Sequence, residues 1–163
     1  MSDFIIRVDG DDLFFSASHF ITFEGGGCES LHGHDFHVAA EVHGPLNPSQ
    51  YVLDFIILRE IVKGILQELD HRVLVPRDHP RIDLRTIDKE LEVALGARRW
   101  VLPKDDCLLL PVSNTTSEML AQYLAGRICE GLSGRNISLP KGIRVEVRES
   151  GGFTAIYRHG GNE

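Results

Sequence analysis

The chain has 163 residues, 42% of them hydrophobic. That is enough to bury one core and too little for two ordinary domains, so a single domain over residues 1–163 is expected. Its 24 acidic against 17 basic side chains leave a net charge of -7, which repels a phosphate backbone and argues against nucleic acid as a partner. No apolar run is long enough for a membrane span, and Met1-Ser2-Asp3-Phe4 lacks the basic and then apolar pattern of a secretion signal. Three irregularly spaced cysteines, Cys28, Cys107 and Cys129, fit reduced thiols rather than a disulfide framework. A cytoplasmic protein with no membrane partner is expected.

Phe4 to Thr22 alternates and is broken by Asp9-Gly10-Asp11-Asp12, which predicts two short strands or one bent one. Gly25-Gly26-Gly27 marks a loop, and His34 to His43 reads as a strand with Phe36, Val38, Ala40 and Val42 on one face. Asp54 is placed to cap a helix whose apolar positions run from Ile57 to Leu69 and which ends near Asp70-His71. Thr115-Thr116-Ser117-Glu118 fits a capping box with Thr115 as the cap of a second helix, carrying Leu120, Leu124, Ile128 and Leu132 and stopping before Ser133-Gly134. Ile143 to Glu149 and Phe153 to Tyr157 predict a terminal hairpin. Between the helices, Leu91-Glu92-Val93 and Trp100-Val101-Leu102 suggest a hairpin about Gly96 inside an inserted segment at about 77–111. The run of elements describes an α+β domain, two helices on one face of an antiparallel sheet.

His32 and His34 lead into a strand two residues apart, so both imidazoles leave the same face as Phe36. His19 has the parity of Leu13, Phe15 and Ala17, so it too leaves an apolar face. A lone histidine there is usually a hydrogen-bonded core residue, but three can meet at a metal. Zinc suits neutral imidazoles, and three protein ligands leave the open fourth position of a catalytic site. His37, His43, His79 and His159 read as surface residues.

Cys28 lies four residues before His32, either as a thiolate base near the metal or as a small apolar loop residue. Cys129 reads as an inert helix residue, and Cys107 has no assignment. Asp70-His71 is either a proton-transfer pair or a surface pair. Glu149 follows the parity of Ile143, Val145 and Val147. It therefore either ends an inward row, where a flat ligand with two adjacent N–H groups would satisfy it, or lies beyond the sheet in solvent.

The set Phe15-Ser16-Ala17-Ser18-His19, Cys28-Glu29-Ser30-Leu31-His32-Gly33-His34, Val52-Leu53-Asp54-Phe55, Leu69-Asp70-His71, Thr116-Ser117-Glu118 and Arg148-Glu149 resembles, in order, the motifs of the 6-pyruvoyltetrahydropterin synthase family. The resemblance implies a tunnelling fold, in which four-stranded sheets of three protomers form a barrel and two trimers stack into a homohexamer. It implies zinc on His19, His32 and His34, Cys28 as the proton-abstracting thiol, and Asp70 and His71 completing a triad. Glu149 would hold the pterin edge, with Thr116 and Glu118 nearby, although the capping reading competes for those two. The implied substrate is 7,8-dihydroneopterin triphosphate. Three residues separate Cys28 from His32, where pyruvoyl-forming members place five. That spacing is similar to the 6-carboxytetrahydropterin synthases of queuosine biosynthesis. A branch using a glutamate base forms 6-hydroxymethyl-7,8-dihydropterin, and Glu29 occupies that position, so dual activity is an alternative, and a solvated Glu29 another. Outside the family, a zinc hydrolase or a non-catalytic metal-binding module would use the same histidines.

Overall fold

The computed structural model describes residues 4–160. Strands β1 (Phe4–Val8) and β2 (Phe14–His19) follow one another along a single long partner, β3 (His32–Gly44), antiparallel to both. They are two strands following one bent path along β3, with a turn between them closed by Leu13 N–H donating to Gly10 O at 3.0 Å. On the other side of β3 lie β9 (Gly142–Arg148) and then β10 (Thr154–Gly160), also antiparallel. The expected terminal hairpin is present, and its turn contains Gly152 at φ 84°, which a side chain would disfavour.

Sequence periodicity missed three strands, two of which extend this sheet. β4 (Arg72–Pro76) pairs with β2 in parallel, and β8 (Cys107–Leu110) pairs with β4 in parallel, extending the sheet to the order β10-β9-β3-β2-β4-β8. The chain enters β4 through His71, whose left-handed backbone (φ 57°) lets its N–H donate to Ser16 O. The anticipated hairpin about Gly96 consists of β6 (Glu90–Leu95) and β7 (Arg98–Pro103), and β5 (Asp83–Ile87) adds a third strand to it.

Two helices cover one face. Helix α1 (Phe55–Leu69) is capped as expected by Asp54, whose Oδ1 accepts from Ile56 N–H at 2.7 Å, and buries Leu58, Ile61, Val62, Ile65, Leu66 and Leu69. Helix α2 (Ser117–Gly134) begins one residue later than the capping box predicts. Thr116 is the cap, accepting from Met119 N–H, while the fully buried Thr115 donates its hydroxyl to Phe20 O at 2.8 Å. A side chain with a buried acceptor to satisfy cannot also turn outward to cap. Glu118 thus falls one position short of the box's glutamate and is free for another role. The helix also continues through Ser133-Gly134. A Cβ at Gly131 would stand 2.7 Å from Ile61 Cγ2, so this glycine allows α2 to approach α1 closely.

Beneath the helices, inward residues of consecutive strands form the core, among them Phe15, Phe36, Val38, Val145 and Val147. Each large apolar side chain buried there contributes about 1.5–3 kcal/mol. The opposite sheet face is charged: Arg7 and Arg144 both bind Glu41 and Glu146. A satellite cluster of Phe20, Val75, Leu91 and Val93 joins the three-stranded sheet to the end of β2. Among the described residues no helix is long and apolar enough to cross a membrane.

Candidate active site

His19 closes β2 on the buried parity and is fully inaccessible. Its Nδ1–H donates to Thr115 O at 2.8 Å, which leaves the Nε2 lone pair free, and that atom is buried without a partner. Burial pushes its pKa down, so the ring stays neutral. His32 lies directly across from His19 in the β2–β3 register, and its Nδ1–H donates to Ser30 O at 2.8 Å. Its Nε2 then lies 3.0 Å from Nε2 of His34. One nitrogen of each ring falls within 4.8 Å of the others.

This donor set fits zinc. An orphaned imidazole nitrogen in a buried place costs free energy unless something accepts its lone pair. Main-chain carbonyls fix the tautomers of His19 and His32 so that Nε2 faces inward, as metal-bound histidines require.

Beside the histidines stands Glu149, just past β9. Its Oε2 is 4.0 Å from His34 Nε2, and its Oε1 accepts from Ser117 Oγ at 2.6 Å. The carboxylate is therefore turned inward rather than into solvent. A pocket of about 300 Å³ is lined by Thr116, Ser117, Glu118, Glu149 and Phe153, so the three expected substrate contacts share one cavity. Ser117 was not anticipated from sequence; its place in the first helical turn reads as helix chemistry.

Cys28 and Glu29 diverge, as neighbours in extended chain do. Glu29 Oε2 is 3.7 Å from His32 Nε2 and is buried without a hydrogen bond. Cys28, half-buried, packs against the satellite cluster instead. Of the two adjacent candidates, the glutamate is the one that reaches the histidines.

Asp70 is held by its own backbone surroundings. Its Oδ1 accepts from Ser16 N–H at 2.8 Å and its Oδ2 from His71 Nδ1–H at 2.8 Å. The Ser16 contact, then His71, keeps its carboxyl below the usual range. His71 is exposed on a groove of about 510 Å³ shared with Ser16, Ser18, Gly33 and Asp35. Those four residues have the parity of the helix-free sheet face, although His34 also borders the groove. Among the described residues no hydrogen bond or ion pair joins Asp70 or His71 to Cys28 or Glu29.

His79, expected at the surface, is half-buried and lies 3.0 Å from Thr22 Oγ1 through Nε2. Asn114, also unanticipated, clamps Thr22 by accepting from its N–H and donating to its carbonyl.

The family model described as 6-pyruvoyl tetrahydropterin synthase matches residues 11–160. A Methanocaldococcus jannaschii protein provisionally named 6-carboxy-5,6,7,8-tetrahydropterin synthase is 35% identical over 147 residues, covering 90% of each chain. The Haemophilus influenzae 6-carboxy-5,6,7,8-tetrahydropterin synthase is 29% identical over 126 residues, 72% of this chain and 78% of the other. Among solved structures, Plasmodium falciparum 6-pyruvoyl tetrahydropterin synthase superposes with a TM-score of 0.88 at 27% identity, covering 98% of this chain and 99% of the other. A catalytic-residue mutant of the Plasmodium vivax enzyme gives a TM-score of 0.90 at 23% identity, with the same coverage. With the fold, the histidine cluster and the sequence likeness in agreement over nearly its whole length, the chain belongs to the 6-pyruvoyl tetrahydropterin synthase family of enzymes.

Proposed function

We propose that this chain is a zinc-dependent lyase that converts 7,8-dihydroneopterin triphosphate and water to 6-carboxy-5,6,7,8-tetrahydropterin, acetaldehyde and triphosphate. The observation that carries the reading is the convergence of three imidazole nitrogens beside an inward carboxylate, His19, His32 and His34 next to Glu149. The carboxy-pterin product is favoured by the names of the M. jannaschii and H. influenzae relatives.

In this reading Glu149, oriented by Ser117, accepts two adjacent N–H groups of the pyrimidine edge, and Thr116 and Glu118 line the same pocket. This places the substrate side chain at the histidines. His19, His32 and His34 would hold zinc, which would supply Lewis acidity toward the side-chain oxygens. A base on the loop, Cys28 or Glu29, takes the side-chain proton. Asp70 orients His71 for proton transfer, and His71 opens toward the helix-free face, which suits a site completed by a neighbouring subunit in a homohexamer. The free thiols fit a cytoplasmic setting.

A second reading, cleavage of the same side chain to 6-hydroxymethyl-7,8-dihydropterin, is favoured by Glu29 at the histidines. A Pyrococcus furiosus relative named dihydroneopterin monophosphate aldolase is 42% identical over 60 residues, 37% of this chain and 50% of the other.

One assay separates them: zinc-loaded wild type, Cys28→Ala and Glu29→Ala are given 7,8-dihydroneopterin triphosphate and the products are resolved by mass. Carboxy-pterin from the wild type, lost in Cys28→Ala with zinc retained, is the expected result, with any hydroxymethyl product lost in Glu29→Ala. A wild type that leaves the substrate intact overturns the assignment.

A further inference from the structure

The loop from Phe20 to Glu29 carries both candidate bases, and the segment between the helices grips it at several points. Arg98, at the start of β7, donates from Nη1 to Glu29 O at 2.9 Å, across 69 residues of sequence. Trp100 of the same strand stacks on Phe20, with ring centroids 4.7 Å apart and planes 18° from parallel. Arg81 reaches Phe23 O, and His79 reaches Thr22. The satellite cluster to which β6 contributes Leu91 and Val93 also takes in Cys28 and Leu31.

We propose that the three-stranded sheet, acting through Arg98, sets which of the two adjacent side chains, Cys28 or Glu29, faces the histidines. Cys28 is seated in an apolar cluster to which the sheet contributes Leu91 and Val93. The carbonyl pinned by Arg98 fixes the peptide that joins Glu29 to Ser30, and the peptide between Cys28 and Glu29 is held by Glu29 N–H donating to Ile21 O at 2.9 Å. With the peptides on both sides of Glu29 held, its carboxylate projects to the other side, where it stands 3.7 Å from His32. The loop has the freedom to do otherwise: Gly25 and Gly26 are at φ 82° and 96°, and Gly25 has no atom near where its Cβ would be. Releasing the carbonyl removes one of these two holds on Glu29, so that the chain swivels there and exchanges the two side chains. Arg98 is thus a positioning residue, and the sheet is a product-selecting element. This inference rests on the pterin-lyase reading above for its chemistry but not for its geometry.

The test uses full-length, zinc-loaded protein with Arg98→Met, which keeps the apolar stem, and Arg98→Lys, which keeps a charged donor. Two quantities are followed: the rate at which iodoacetamide alkylates Cys28, read by peptide mass, and the ratio of carboxy-pterin to hydroxymethyl-pterin formed. Loss of one solvent-accessible hydrogen bond to a cation corresponds to about a fivefold change in such a conformational ratio. Arg98→Met is therefore expected to speed Cys28 labelling and raise the ratio of carboxy-pterin to hydroxymethyl-pterin, each by about fivefold, with zinc content unchanged and Arg98→Lys restoring most of both. Unchanged labelling in Arg98→Met overturns the clamp, whatever the products. Faster labelling with an unchanged product ratio overturns its role in selection. If the wild type makes no pterin product but labelling responds as expected, the clamp stands and the lyase reading falls.

Discussion

Replacing Glu149 tests the pterin pocket most directly. The carboxylate is 17% exposed and already holds one short hydrogen bond, from Ser117. A flat ligand edge with two adjacent N–H groups adds two charge-assisted bonds, worth about 1.5–3 kcal/mol each before the cost of desolvation. Removing the carboxylate also leaves those ligand groups unpaired, so Glu149→Ala should weaken a pterin analogue by about 3–4 kcal/mol. That is a factor of roughly 150 to 700 in Kd at about 1.4 kcal/mol per decade. Glu149→Gln keeps the shape and one acceptor and should lose about tenfold to thirtyfold. The fold loses only the Ser117 contact, about 1 kcal/mol, equivalent to a Tm shift of roughly 2–4 °C. Binding is read by the quenching of pterin fluorescence and stability by thermal melting. Affinities within about twofold across the three proteins, with melting unchanged, would refute the pocket assignment.

His32→Ala should lower zinc stoichiometry to near zero after dialysis and abolish turnover with it, since two imidazoles are too few to retain the ion; full occupancy by elemental analysis would remove His32 from the ligand set. In metal-free protein, burial disfavours the charged form of His19, so its folded pKa lies below its unfolded value of about 6.5. Above that pH both states are neutral and nothing is lost. As pH falls below it the unfolded chain takes up the proton and the folded one resists, so stability drops. Urea melts of chelated protein should show this loss below about pH 6.5, and His19→Asn should flatten it; a wild-type midpoint that is level from neutral to acid pH would count against a buried, neutral His19.

The site histidines were legible because strand parity is a local property: His19 follows Phe15 and Ala17, and His32 and His34 precede Phe36, so period two alone turned all three inward. Glu149 was legible in the same way from Val145 and Val147, although only the Ser117 contact decided between core and solvent. β4 and β8 escaped because each is a short apolar run whose partner in the parallel ladder is distant in sequence, and nothing in Arg72–Pro76 itself names β2 as its neighbour. Thr115 and Thr116 are equivalent as caps until Phe20 O claims one of them. The directions of Cys28 and Glu29 were out of reach for a further reason. A glycine-rich loop adopts many paths, and the one taken here is selected by Arg98 and Trp100, roughly 70 residues away.

The carbonyls that orient His19 and His32 belong to the main chain at Thr115 and Ser30. Every amino acid brings the same carbonyl to such a position, so the direction in which these two imidazoles point does not depend on the side chains found there. Position 30, exposed in its loop, is thus open to evolutionary drift without disturbing the ring it holds. Position 115 is less free, because its hydroxyl also serves Phe20 O. Related chains can diversify around this centre, altering loop chemistry and product, while the two imidazoles inherit their orientation from the path of the backbone.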